Sequence, residues 1–287
     1  MSAWLWTFLS LTLVKAAPLI FAALAGVICE RAGVLDIALE GQLAVGAFVA
    51  VAVSFATGNP VLGLLAGIAA SALLGALLGV AATRFAVDQV VAGIGLNLFA
   101  LGACAYGLVV VFGQPGASSE VHALGTRGES ALVAAALAAA VIVHFVLYKT
   151  PGGLRLRACG ENPHAVRSAG LQPLRIRLVA TIVAGALVGF GGVFLSLGEL
   201  DLYSDGMTAG RGFIALAAVI FGRWTPLGAT TACLGFGALA ALQFMLQRAG
   251  IPSEVMQALP YLAALAALTG LLGQASAPKA DGVPYEE

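Results

Sequence analysis

Two carboxylates stand four residues apart in the stretch Gly33-Val34-Leu35-Asp36-Ile37-Ala38-Leu39-Glu40-Gly41-Gln42. That spacing puts Asp36 and Glu40 on one helical face. Glycines at 33, 41 and 46 permit a break or a close approach. The pair can line a translocation path or gate on a broken helix, or it can mark an interfacial helix start with acids near its N-terminus. A second polar stripe follows in Asp88-Gln89-Val90-Val91-Ala92-Gly93-Ile94-Gly95-Leu96-Asn97. Gln89, Gly93 and Asn97 recur every fourth residue, and Ala100 and Cys104 continue the face. Such a stripe suits a solute-lined path; hydrogen bonding between helices serves equally as an explanation. A third cluster, Glu199, Asp201, Tyr203, Ser204 and Asp205, precedes Gly210-Arg211-Gly212-Phe213. It offers either a surface for a solute or delivery protein or an ordinary solvated loop.

None of these sets resembles a catalytic centre. No Ser/His/Asp, paired-carboxylate or HExxH arrangement rises above chance, and no GxxxxGK[ST] loop offers a phosphate cradle. His122, His144 and His164 are too dispersed for a metal site. Within its span, His144 reads as a packing residue. Cys29, Cys104, Cys159 and Cys233 are scattered without a CxxC pair and read as small apolar residues in a packed bundle. No cofactor is expected.

What must position these residues is a membrane bundle. Of 287 residues, 60% are hydrophobic and 10% charged, and the mean hydropathy is +0.99. So few charges cannot cover a water-soluble surface. The apolar runs are continuous rather than alternating, which excludes a transmembrane barrel. Zero net charge argues against a nucleic-acid partner. Lipid is the surrounding partner. The first apolar segment is too long for a cleavable signal peptide and has no basic region before it. Spans are predicted at 4–28, 35–57, 60–83, 89–113, 130–148, 178–199, 226–247 and 255–273, with a shorter one at 212–222. The expected fold is a single all-α transmembrane domain over 1–287, with about 8–10 membrane elements, one or two of them broken or short. Gly63, Gly67, Ser71, Gly75 and Gly79 form a four-residue ladder in the third span. Gly185, Gly189 and Gly192, at steps of four and three, put small residues on one face of the sixth. Both predict close helix packing, because lipid gives apolar side chains no reason to associate.

Residues 149–177 interrupt the apolar pattern. They carry Lys149, Arg155, Arg157, Arg167, Arg175 and Arg177, six of the fourteen Lys and Arg, against Glu161 alone. The positive-inside rule puts this island in the cytoplasm. Counting spans from it puts Arg31, Arg84, Arg223 and the C-terminus inside, with the N-terminus and the 114–129 loop outside. Within the island one short helix is predicted over 163–169. Asn162 is its N-cap, Pro163 its first helical residue and Gly170 its stop. So short a helix needs packing to hold it. It can dock in a groove of a motor subunit, or it can be an ordinary structured loop. The tail 274–287 is expected to be irregular.

Several motifs together resemble the permease subunits of bacterial ABC importers of the branched-chain amino acid and ribose group, in particular the nucleoside and simple-sugar permeases. They are Gly33 to Gly41, Asp88 to Gly93 with Asn97, Thr150 to Arg157 with Gly160 to Pro163, Gly210 to Gly228, and the tail Ala277 to Tyr285. The resemblance runs nearly end to end. It implies a transport subunit in the bacterial inner membrane without an ATPase site of its own. It also implies three partners: a cytoplasmic ATP-binding subunit, a second permease in a heterodimer and an extracytoplasmic substrate-binding lipoprotein. The family pattern puts Gly160, Glu161, Asn162, Pro163, Ala165, Arg167 and Gly170 at the ATPase coupling site. Asp36, Glu40, Gln89 and Asn97, read above from their polarity, are then the candidate path for nucleosides or simple sugars such as ribose. Asp36 stands where the family has Asn, and the 113–129 loop is shorter than the family's. The alternatives are a self-sufficient secondary transporter of a small polar solute, and an intramembrane enzyme, against which the missing catalytic residues weigh.

Overall fold

The computed structural model describes residues 2–246 and 276–285. The predicted span 255–273 lies outside the described residues. The order is α1 (Ser2–Arg31), α2 (Leu39–Thr57), α3 (Pro60–Arg84), α4 (Gln89–Phe112), α5 (Gly125–Lys149), α6 (Pro151–Glu161), α7 (Pro163–Ser168), α8 (Pro173–Val193), α9 (Arg211–Phe221) and α10 (Pro226–Leu246), and α8 runs on as a π-helix, Phe194–Leu200. The protein is an all-α, polytopic membrane bundle. Among the described residues, seven helices are long and apolar enough to cross a membrane, and Arg211–Phe221 is a shorter apolar helix.

Lipid removes water as a partner for backbone groups, so chain breaks need internal donors and acceptors. At its surface ends the chain uses ordinary caps. Asn59 accepts the amides of Val61 and Leu62 ahead of Pro60, and Asp88 accepts those of Val90 and Val91. α1 is the central element: Ala16 to Ala25 is almost wholly buried, and α1 packs on α5, α8, α9 and α10.

The two small-residue ladders face one another. A Cβ on Gly75 would come within 2.3 Å of the Thr181 carbonyl oxygen, one on Gly185 within 2.6 Å of that of Ser71, and one on Gly189 within 2.7 Å of the Ile68 Cα. Gly67 meets α2 in the same way, 2.5 Å from the Gly46 oxygen. Backbone contact replaces side-chain interlocking here, as expected for helices in lipid.

Two expectations need correction. The island 149–177 holds two helices rather than one, α6 and then α7. Gly152 and Gly153 argue against a helix by propensity. Yet Thr150 caps α6 by accepting the Gly153 amide at 3.2 Å, and Gly153 is pressed so close to α5 that a Cβ would lie 2.1 Å from the Val146 oxygen. The second span also begins later than residue 35. Residues 32–38 are non-helical, and α2 starts at Leu39.

Candidate functional site

The four candidate path residues converge on the interruption between α1 and α2. That segment leaves several buried amides and carbonyls without helical partners, and side chains supply them. The Gln89 Oε1 accepts the Leu35 amide at 2.7 Å. Asn97 makes a reciprocal pair: its Oδ1 accepts the Gly41 amide at 2.7 Å and its Nδ2 donates to the Ile37 carbonyl at 2.8 Å. Asp36 accepts the Ala38 amide at 3.0 Å, and the Gln42 amide group donates to both of its oxygens at 3.2 and 3.1 Å. All four are buried. The stripe on α4 lies against this segment. A Cβ on Gly93 would approach that of Ile37 to 2.8 Å, and one on Gly41 would approach that of Ala100 to 2.8 Å. Asp36 lies in the turn between the helices. Burial pushes its carboxyl up to about 6, against the hydrogen bonds from Gln42 and Ala38 that hold it down.

Glu40 reaches another element. Its two oxygens accept the amides of Gly210 and Gly212 at 2.8 and 2.7 Å, so a carboxylate from α2 caps the first turn of α9. A negative charge is favoured there by the orphan amides and the helix dipole. Gly210 has φ +74°, and a Cβ on Gly212 would lie 2.4 Å from the Glu40 nitrogen. The other end of α9 is held by α1. The buried Glu30 accepts the Trp224 indole N–H, and Arg31 donates to the Trp224 carbonyl at 2.8 Å and to that of Arg223 at 3.4 Å. The residues that flank the 32–38 interruption therefore hold both ends of an 11-residue half-helix. Glu30, Arg31 and Trp224 were not among the sequence-derived candidates. Two charges closing an apolar run, with a tryptophan beside Pro226, were the available signal.

α6 and α7 lie beside this arrangement. A Cβ on Gly160 would strike the Arg31 carbonyl oxygen at 2.3 Å, which puts the end of α6 against the end of α1. Asn162 accepts the Ala165 amide at 3.1 Å and caps α7. Gly170 has φ +79° after the helix. Gly160, Pro163 and Val166 are buried, whereas Glu161, Asn162, Ala165, Arg167 and Gly170 are exposed. Arg157 anchors α6 to α5, donating to the Leu147 carbonyl at 3.0 Å with its guanidinium over the Tyr148 ring. His144 also packs on that ring, at 4.9 Å between centroids.

At the opposite end of the bundle the 113–124 loop and residues 201–206 are knitted by backbone bonds. The Ser118 amide donates to the Tyr203 carbonyl at 2.8 Å and the Asp205 amide to that of Gly116 at 2.7 Å. Tyr203 is buried edge-on against Phe48. Glu199 pairs with Lys15 of α1. Of the third acidic cluster, then, Glu199 and Tyr203 are engaged inside the bundle. The four cysteines are free and buried.

Comparison with known proteins gives this geometry its context. A family model described as the branched-chain amino acid transport system permease component matches residues 8–275. The chain is 38% identical to the guanosine ABC transporter permease protein NupQ of Bacillus subtilis, covering 96% of this chain and 94% of that relative. It is 35% identical to the nucleoside ABC transporter permease protein NupC of Lactococcus lactis, over 95% and 94%. It is 33% identical to the putative glucose ABC transporter permease protein TsgC13 of Haloferax volcanii, over 83% and 77%. No solved structure matches the chain. With a family match over nearly its whole length and a capped helix exposed beside the foot of its bundle, the chain belongs to the permease components of the branched-chain amino acid transport system family.

Proposed function

We propose that this chain is the membrane-spanning subunit of an ATP-driven importer that carries nucleosides into the cytoplasm. It pairs with a second permease, receives solute from an extracytoplasmic binding lipoprotein, and seats a cytoplasmic ATP-binding subunit on α7. The names of the two relatives that cover most of the chain support the solute class. The glucose relative makes a simple sugar the competing substrate. The observation that carries the mechanism is the exposed, Asn162-capped α7, which is backed by buried Pro163 and Val166 and joined through Gly160 to the end of α1.

In this mechanism the α6–α7 end faces the cytoplasm, as its six basic residues favour. Arg31 and Arg223 sit at the same end, and the C-terminus is cytoplasmic with them. The motor bears on Glu161, Asn162, Ala165 and Arg167 while Gly160, Pro163 and Gly170 shape the contact, and displacement passes through Gly160 to Arg31 and the 32–38 turn. Asp36, Gln89 and Asn97 hold that turn, and Glu40 ties it to the tip of α9. These four side chains shape the solute path by fixing the broken segments beside it, in the way discontinuous helices build transporter sites. Capture of the tagged chain from its native membrane tests the assembly. The expected result is co-purification of an ATP-binding subunit and a second permease, with nucleoside-stimulated ATP hydrolysis. Ion-gradient-driven uptake by this chain alone would contradict the proposal.

A further inference from the structure

The C-terminal segment 276–285 contains no helix. Its sequence, Ser276-Ala277-Pro278-Lys279-Ala280-Asp281-Gly282-Val283-Pro284-Tyr285, has no apolar run to drive packing. Segments of that kind usually stay loose unless tied down. This one is tied down at four places. The Ala280 amide donates to the Gly160 carbonyl at the end of α6, at 2.8 Å. Arg177, near the start of α8 and 1% exposed, donates to the carbonyls of Val283 and Ala280 at 3.0 and 3.3 Å. Tyr285, 5% exposed, packs edge-on against His164 of α7, with 4.9 Å between centroids. The tail also lies on the 32–38 turn. A Cβ on Gly33 would lie 2.7 Å from an Arg177 nitrogen and 3.1 Å from the Ala280 oxygen, and one on Gly282 would lie 3.9 Å from Leu35.

The dependence runs both ways. A buried guanidinium without acceptors is costly, and Arg177 donates to two tail carbonyls. Asp281 adds a nearby negative charge: burial pushes its carboxyl up, and the Arg177 guanidinium pulls it back. The tail thus joins α6, α7, α8 and the 32–38 turn. These are the parts that must move together if force on α7 is to reach Asp36 and Glu40.

We propose that segment 278–285 is a strap that positions α7 for the motor subunit and couples α7 to the 32–38 turn, with Arg177 and Tyr285 as its two fastenings. The proposal rests on α7 being the motor-docking helix. Both are positioning residues rather than solute contacts.

The test uses the full complex, reconstituted in lipid vesicles with the binding protein. Four forms of this chain are compared: wild type, Tyr285→Ala, Tyr285→Phe, and a chain ending at Ala277. Three readouts are taken: motor subunit retained per permease, ATP hydrolysed, and nucleoside taken up per ATP. Tyr285→Ala and the shortened chain are expected to reach wild-type membrane levels and to lower uptake per ATP five- to tenfold. Tyr285→Phe keeps the ring contact and is expected to restore it. Loss of the motor subunit in Tyr285→Ala, recovered in Tyr285→Phe, supports the strap equally. Wild-type uptake per ATP in both Tyr285→Ala and the shortened chain overturns it. If the wild-type chain retains no motor subunit at all, the docking role of α7 fails first, and the strap proposal falls with it.

Discussion

The carboxylate of Glu40, on the second residue of α2, accepts the amide of Gly212 at 2.7 Å across 172 positions of sequence. This contact fastens the tip of a half-helix to the start of a full span. It makes Glu40 a helix cap supplied from a neighbouring element, and it explains how a charge survives 6% exposed within an apolar bundle. Replacing it by Ala orphans the buried Gly212 amide, at about 1–3 kcal/mol, and the part-buried Gly210 amide, at less. Glu40→Gln keeps an acceptor but loses the charge that suits a helix N-terminus, at about 1–2 kcal/mol. The expected order of thermal stability in detergent is wild type, then Gln, then Ala, with transport falling in the same order.

Asn97→Leu removes both bonds to the interruption and leaves the Gly41 amide and the Ile37 carbonyl without their partner. Uptake is expected to drop about tenfold while the complex still assembles, because α4 keeps its Gly93 and Ala100 contacts. Size-exclusion chromatography and a vesicle uptake assay check this together. Normal uptake would reduce Asn97 to a packing residue.

Asp36 gives a pH dependence with a definite sign. A free carboxyl titrates near 4, and the folded one is raised to about 6. The folded Asp36 therefore holds more protons between those values, and its contribution to stability falls as pH rises from about 4 to about 6, then stays level. The full loss, about two pKa steps, is at most about 3 kcal/mol. Asp36→Asn abolishes it. The amide keeps an acceptor for Ala38 and offers a donor to the Gln42 Oε1, which has no hydrogen-bond partner. The substitution is expected to raise the melting temperature near pH 7.5 and to leave it unchanged at about pH 4.

Gly75→Val tests the ladder contact. Its Cβ would sit 2.3 Å from the Thr181 oxygen, so α3 and α8 must separate. Overpacking of this kind costs about 1–3 kcal/mol. Reduced expression and a lower melting temperature are expected, whereas Gly95→Ala, whose Cβ meets nothing within 4 Å, is expected to behave as wild type.

Much of this was legible in the sequence because membrane helices announce themselves by composition. The ladders at 63–79 and 185–192 point to their packing because only small residues permit backbone contact. Asn162, Pro163 and Gly170 delimit α7 because cap chemistry is local. Helix α6 was not legible, since Gly152 and Gly153 disfavour a helix by propensity while Gly153 obeys a tertiary demand from α5. The polar stripe was found, but its target was not. Spacing shows that Gln89 and Asn97 share a face; it does not show that the face meets an interrupted backbone at 35–41. The partnership of Arg177 with a tail about a hundred residues away leaves no periodic trace at all. Nor does the cap that Glu40 supplies to α9, because its donors are main-chain amides.

The central claim is that α7 transmits ATP use into movement of the spans. ATP-dependent nucleoside uptake by the reconstituted complex tests it most directly, comparing wild type with a Glu161→Ala, Arg167→Ala double variant while ATP hydrolysis is followed in the same vesicles. The account predicts a complex that reaches the membrane intact and loses at least about tenfold in uptake per ATP hydrolysed. Wild-type uptake per ATP in the double variant would contradict it.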